Sequence, residues 1–304
     1  MNRTGIQYLD YSWNPVTGCT PIGTGCKNCW AQAMAKRLAG MGIAGYDKQN
    51  PFKVTLHPDR LDEPLSVKKP ARIGVAFMGD LFHDNMPVDM IYAVLSVIES
   101  SPQHTYLMLT KRSYNAAKVI TLQTYAGPVR KAGYDILGPQ KYVPYNTGFP
   151  FRNLWLGTSI SCQEDADKNI PHLLQVPAAV RYLSIEPMVG PVILEDYDKL
   201  LGKPHLGRRY LRKTIIPPTR DTRTGERFPM KVVEERIDWV ICGCESGPKR
   251  RPCNIAWIRD VVSQCKNAGV KVFVKQLDIG NKVIEDINEF PEDLRIREYP
   301  EVNK

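Results

Sequence analysis

Six short runs of β-branched and aromatic residues, each ending in a polar or glycine-rich turn, constrain this chain more than any other feature. They are RIGVAFMGD at 72–80, TYLMLTK at 105–111, LWLGTSIS at 154–161, RYLSIEP at 181–187, DWVICGCES at 238–246 and KVFVKQ at 271–276. Near-continuous apolar runs of this length suit strands buried on both faces, as in a parallel sheet. Between them lie segments with helical spacing at 88–100, 165–175 and 255–268. In the first of these, Met90, Ile91, Val94, Leu95 and Ile98 fall on one stripe behind Pro87, a residue tolerated at a helix start. The last is followed by Gly269 as a C-terminal stop. Alternating strands and helices predict an α/β fold with right-handed crossovers. A first strand near 12–16 brings the total to about seven, close to a full or partial (βα) barrel.

The polar residues gather where these strands end: Asp80, Lys111, Ser159, Glu186, Glu245 and Lys275. Parallel α/β folds place their sites at that end of the sheet. Two stretches break the rhythm. Residues 121–151 are rich in Tyr, Gly and Pro without clear periodicity, and 195–236 carries a concentration of basic residues. Both read as insertions into a single domain spanning 1–280, because the strand pattern resumes after each. The charged tail 281–304 is expected to pack loosely.

Composition narrows the function classes. The 304 residues carry a formal net charge of +9 and are 43% hydrophobic, the profile of a globular chain with material for a core. No run of 18 apolar residues is present, so no membrane span is expected. The N-terminus lacks the apolar segment of a secretory signal, which points to the cytoplasm. Eight cysteines in such a chain suggest metal binding or chemistry more than disulfides. Residues 203–231 hold nine Lys and Arg against Asp221 and Glu226; such an excess attracts polyanions and makes nucleic acid a candidate partner.

Three cysteines stand out: Cys19, Cys26 and Cys29, spaced C-x6-C-x2-C in a glycine-rich loop that leads into a helical stretch at 31–38. Such a loop lets three thiolates converge on a metal group. A structural zinc normally closes with four ligands, and here the fourth would have to come from afar, from Cys242, Cys244, Cys253 or His57. A four-iron cluster on three thiolates keeps one iron open, which is where S-adenosylmethionine (SAM) chelates. Cys162 and Cys265 read as packing residues.

The blocks WNPVTGC…GCKNCWA, KKPARIGVAFMGDLFHDNMP, SPQHTYLMLTKR, NLWLGTSI, RYLSIEPMVGPV and DWVICGCESGPKRRP resemble, in the same order, those of a phage-associated family of unknown function grouped with radical SAM proteins. The resemblance runs from about Trp13 to Lys275. It implies a radical SAM-like partial (βα) barrel with parallel strands, and a [4Fe-4S] cluster on Cys19, Cys26 and Cys29. It also implies SAM as cofactor and an electron donor protein as partner. The first gap is longer than in the most familiar C-x3-C-x2-C spacing, and no substrate is implied.

If SAM is the cofactor, its chemistry assigns candidate roles. Asp80 would meet the methionine amino group, Ser159 and Glu186 the ribose hydroxyls, and Lys111 the methionine carboxylate. Gly243 and Glu245 belong to a glycine-rich turn able to approach adenine closely. Lys111 and Lys275 are alternatively candidates for holding substrate or neutralising buried carboxylates, and Cys244 either donates a hydrogen atom or is a small residue packed in the core. The enzyme expected is one that generates a 5′-deoxyadenosyl radical and modifies or repairs nucleic acid or a nucleotide. Two rivals are a zinc-containing nucleic acid-binding protein without SAM chemistry and a metal-free hydrolase using Asp80, His83 and Glu186. No Gly-x-Ser-x-Gly, P-loop or His-Glu-x-x-His motif supports the hydrolase.

Overall fold

The computed structural model describes residues 1–120, 127–142, 150–198, 203–211, 214–216, 219–220, 227–228, 231–233 and 236–301, with backbone alone for 196–198, 203–209 and the short ladders after them. Its centre is a nine-stranded sheet. Seven strands are parallel: β1 (Tyr11–Trp13), β2 (Arg72–Val75), β3 (Thr105–Thr110), β4 (Leu154–Ile160), β5 (Val180–Ile185), β6 (Trp239–Gly243) and β7 (Lys271–Ile279). They lie side by side in chain order. Asn2–Arg3 caps one edge antiparallel to β1, and Lys282–Ile284 caps the other antiparallel to β7. The sheet is open, since its two edge strands do not pair with each other. This is a mixed α/β fold with a mostly parallel sheet, not a closed barrel.

The helices form for local reasons. Helix α1 (Trp30–Gly40) starts directly behind Cys29 and buries Ala31, Ala35 and Ala39 on one stripe. Helix α2 (Val88–Ser100) follows Pro87 and buries Met90, Ile91, Val94, Leu95 and Ile98. Helices α3 (Ser113–Val119) and α4 (Pro128–Leu137) come next, then α5 (Gln163–Leu173). In α6 (Ile255–Ala268) the Asn254 side chain accepts from the Ala256 N–H, and Gly269 closes the helix in the left-handed region. No helix is long and apolar enough to cross a membrane.

Strand parity divides the core, because successive side chains point to opposite faces. Ile73, Val75, Tyr106, Met108, Leu154, Leu156, Leu183, Ile185, Val240, Cys242, Val272 and Val274 pack with the helices in the larger apolar cluster. Leu107, Trp155, Tyr182, Trp239, Ile241 and Phe273 turn to the other face and form a second cluster with Tyr8 and Leu9. Its rings meet edge-on around Trp239: Tyr8 at 5.8 Å, Trp155 at 5.7 Å and Phe273 at 6.1 Å. Gly157 belongs to this face for a steric reason. A Cβ there would lie 2.5 Å from the Tyr182 ring, whose hydroxyl donates to the Met108 carbonyl at 2.9 Å.

The two insertions differ. Within 121–151, α4 packs on α2, and Tyr142 is buried with its hydroxyl donating to Glu99 at 2.6 Å. That stretch was expected to lack periodic structure, and Gly133 shows why: a side chain there would strike the Tyr142 ring, so the helix carries a glycine in its middle. Short antiparallel backbone ladders occur within 195–236. The side chains of the basic stretch 203–231, apart from Tyr210 and Leu211, lie outside the described residues. The charged tail packs more firmly than expected. Phe290 and Leu294 are buried in the core, Val274 N–H donates to the Ile296 carbonyl at 2.8 Å, and Glu298 N–H donates to Val272 at 2.8 Å.

Candidate functional site

The parity that carries Leu107, Trp155, Tyr182, Ile241 and Phe273 to one face carries Lys111, Ser159, Glu186, Glu245 and Lys275 to the same face further along, beyond the aromatic cluster. These five, with Asp80, line one cleft together with Cys19, Cys26 and Cys29. The cleft contains about 1210 Å³ of empty space, counting its open mouth. Tyr8, Phe77 and Leu109 contribute apolar lining. Gly243 shares the parity but has no side chain to offer, and its carbonyl accepts from the Met188 N–H at 3.0 Å. Cys244 is one residue out of phase. It is fully buried in the helix-side core and does not reach the cleft, and burial pushes its thiol up to about 12.

The cysteine loop sits on the strand ends. Gly18 N–H donates to the Met78 carbonyl at 2.9 Å, and Cys19 N–H to the Phe52 carbonyl at 3.0 Å. Gly18 has φ +83° and its α-carbon faces the backbone of Lys53 so closely that any Cβ would collide with it. At Gly25 a Cβ would lie 2.7 Å from the Ser161 hydroxyl and 3.5 Å from the Lys111 amine. Only a residue without a side chain lets Cys26 approach the ends of β3 and β4 this closely.

Two arginines, neither expected from the sequence, clamp the loop. Arg112 follows Lys111 and is buried beside Asp80, their side chains 5% and 6% exposed. Its Nη1 donates to Asp80 Oδ2 and to the Cys19 sulfur, both at 3.2 Å. Its Nη2 donates to the Thr20 carbonyl at 3.1 Å and hydroxyl at 3.0 Å, and its Nε to Asp84 at 3.3 Å. Burial opposes the guanidinium's charge, but Asp80, the Cys19 sulfur and Asp84 outweigh it and hold its pKa above the ordinary value. On the far side, Arg251 donates through Nη1 to the Thr24 carbonyl at 2.9 Å and grips Glu245 through Nε and Nη2 at 2.9 and 2.6 Å. Asn28 adds a bond to Glu245 at 3.1 Å. Burial raises the Glu245 pKa, yet the bonds from Arg251 and Asn28 prevail and hold it below the usual range.

The remaining groups fall into distinct states. Asp80 accepts from Thr110 Oγ1 at 2.7 Å and from the N–H groups of Phe82 and Lys111 at 3.0 and 3.2 Å, besides Arg112. Both its oxygens are engaged. Lys111 donates to the Ser159 hydroxyl and has no carboxylate partner among the described residues. Lys275 pairs with Glu186. His83 is buried outside the cleft: its Nδ1 accepts from the Asn85 N–H at 3.1 Å, so its Nε2 donates to Thr20 at 2.9 Å. Its pKa is lowered, first by burial and then by Arg112, and it serves as a brace for the loop.

The Cys19 thiol is raised by burial and by Asp80, against the opposing pull of Arg112. Among the described residues no three Cys, His, Asp or Glu side chains meet where one metal ion would need them. Ligands of a single tetrahedral zinc lie about 3.8 Å apart, given a Zn–S bond of about 2.3 Å. Thiolates on three corners of an iron–sulfur cube stand farther apart than that, because each binds a different iron. The side chains considered as a fourth zinc ligand are held elsewhere. His57 bonds Thr17 at 2.8 Å, while Cys242, Cys244 and Cys253 are buried in the helix-side core.

Fold and site together define an α/β protein with a thiol- and lysine-lined cleft at the C-terminal end of a parallel sheet. The chain belongs to the family described as "Protein of unknown function (DUF5131)", whose profile matches residues 3–290. No curated protein and no solved structure matches it.

Proposed function

We propose that this chain is a radical SAM enzyme that holds a [4Fe-4S] cluster on Cys19, Cys26 and Cys29, binds SAM in the adjoining cleft and acts on nucleic acid or a nucleotide. One observation carries the reading: three thiols behind the first parallel strand line the same cleft as polar residues from the next six strands and the turns that follow them. The donor set suits the group, being three sulfur ligands in a glycine-shaped loop, with an N–H donor aimed at one sulfur. We read the open sheet, with its strands in chain order, as a partial (βα) barrel of the kind that the SAM chemistry uses.

A cluster held by Cys19, Cys26 and Cys29 would supply one-electron reductive cleavage of the sulfur–C5′ bond of SAM, with the electron from a donor protein, leaving methionine and a 5′-deoxyadenosyl radical that could take hydrogen from an unactivated C–H bond. The protein's own residues fix and shield. Arg112 steadies the Cys19 sulfur, with Asp80 as a positioning residue acting through that guanidinium. Arg251, Glu245 and Asn28 hold the loop's other end. Lys111, without a carboxylate partner among the described residues, is available to an anionic group such as the methionine carboxylate. Glu186, Lys275 and Ser159 offer acceptors and donors to hydroxyls. The aromatic cluster beneath excludes water from the floor.

The test pairs wild type with Cys26→Ala after anaerobic reconstitution. The variant is expected to lose iron and the release of 5′-deoxyadenosine from SAM together. SAM cleavage that survives without iron contradicts the proposal.

A further inference from the structure

The rim beside the cysteine loop combines exposed apolar side chains with cations that have no counter-charge among the described residues. Trp30 is 49% exposed and Ile22 43%, although both also line the cleft. Met34 continues the Trp30 face of α1 one turn on, and Met41 and Ile43 follow the helix end, all three exposed. Residues 11–46 contain no Asp or Glu while carrying Lys27, Lys36 and Arg37, and 246–259 contain none while carrying Lys249. Asn28 donates to the Lys249 carbonyl at 2.8 Å, so the segments bearing the exposed Lys27 and Lys249 adjoin. Neither lysine has an ion-pair partner among the described residues. The nearby Arg250 and Arg251 are already matched by Asp278 and Glu245.

We infer that this rim is the track on which a single-stranded nucleic acid lies, with a base stacked on Trp30, phosphates against Lys27 and Lys249, and one nucleotide entering the cleft. The inference rests on the reading of the cleft as a site for nucleic acid or nucleotide chemistry and names how the substrate enters. Its ground is continuity: Trp30 and Ile22 belong to both the exposed rim and the cleft wall, so a polymer on the rim extends into the site. A protein partner docked on the rim has no need of that continuity. Sequence-tolerant strand binding uses this same combination of an aromatic platform and a basic border. Single strands are favoured over duplex because a base reaches a recessed floor only out of its stack.

The test uses the full-length, cluster-reconstituted protein and a fluorescent oligothymidylate of about 12 nucleotides, within the site sizes such surfaces cover. Fluorescence anisotropy is measured across a range of salt. Trp30→Ala is expected to weaken binding by at least about fivefold, as loss of one base–aromatic stack does, whereas Trp30→Phe retains most of the affinity. The Lys27→Gln, Lys249→Gln double variant is expected to reduce the slope of log affinity against log salt by about 1.4, or about 0.7 for each phosphate left without its lysine. Iron content and thermal melting confirm that the variants are folded. Affinity and slope unchanged in both variants overturn the inference. Absence of oligonucleotide binding overturns it as well. Equally tight, equally Trp30-dependent binding of polyglutamate overturns it in favour of an acidic protein. Release of 5′-deoxyadenosine without oligonucleotide judges the enzyme reading separately, so the two can fail independently.

Discussion

Arg112→Ala is the substitution through which the site's architecture is best probed. The guanidinium bonds Asp80, Asp84, the Cys19 sulfur and Thr20, and its pairing with Asp80 is sealed from solvent, with side chains 5% and 6% exposed. Removing one partner of a buried ion pair costs about 3–5 kcal/mol, because the other charge stays buried without compensation. Here Asp80 keeps Thr110 and two backbone N–H donors, which sets the expectation at the lower end, about 3 kcal/mol. For 304 residues, at an unfolding entropy of about 2.1 cal/mol/K per residue, that lowers Tm by about 5 °C. Urea denaturation of the apoprotein measures the loss. Asp80→Ala in the same background should cost clearly less than the two single losses combined, because no orphaned carboxylate remains. A single-variant loss under 1 kcal/mol, or strict additivity in the double variant, refutes the reasoning.

Three further outcomes follow from the same geometry. Glu245→Gln should destabilise the protein in a pH-dependent way. The folded-state pKa of Glu245 is depressed by Arg251 and Asn28, so its contribution is full above the ordinary carboxylate value of about 4.3 and fades as pH falls through the folded value. Urea titrations at several pH values test this, and a wild-type advantage that persists at the acid end argues against it. Gly157→Ala places a methyl 2.5 Å from the Tyr182 ring and should cost about 1–3 kcal/mol, with Tyr182→Leu relieving part of the loss; a neutral effect alone would show that the ring yields freely. In the apoprotein, a thiol reagent should label Cys19, Cys26, Cys29 and Cys162 while the buried Cys242, Cys244, Cys253 and Cys265 resist until unfolding. Rapid labelling of Cys244 would place it outside the core, contrary to the structure.

Much of the frame was legible because it rests on periodicity. The run 88–100 is α2 to the residue, and 255–268 is α6 with Gly269 in its predicted role. The polar positions are equally readable: Asp80, Lys111, Ser159, Glu186 and Glu245 lie at or beyond the ends of β2 to β6, and Lys275 lies mid-strand because β7 runs on to Ile279, yet all six reach one cleft. The misses have physical causes. Of the two readings of Cys244, the structure supports core packing and not a place in the cleft beside Glu245, because strand parity sends neighbours to opposite faces. Arg112 and Arg251 carry no local signal for clamping the cysteine loop, because the loop residues they reach, Thr20 and Thr24, lie 92 and 227 residues away. Helix α4 was hidden by Gly133, a glycine selected by the Tyr142 ring across from it.

The central claim is tested most directly by iron, sulfide and zinc analysis of the anaerobically reconstituted protein, with electron paramagnetic resonance of the reduced form with and without SAM. The account predicts about four irons per chain, the content of one [4Fe-4S] cluster, and a reduced-cluster signal that changes when SAM is added. About one zinc and no iron, the signature of a structural site, contradicts it.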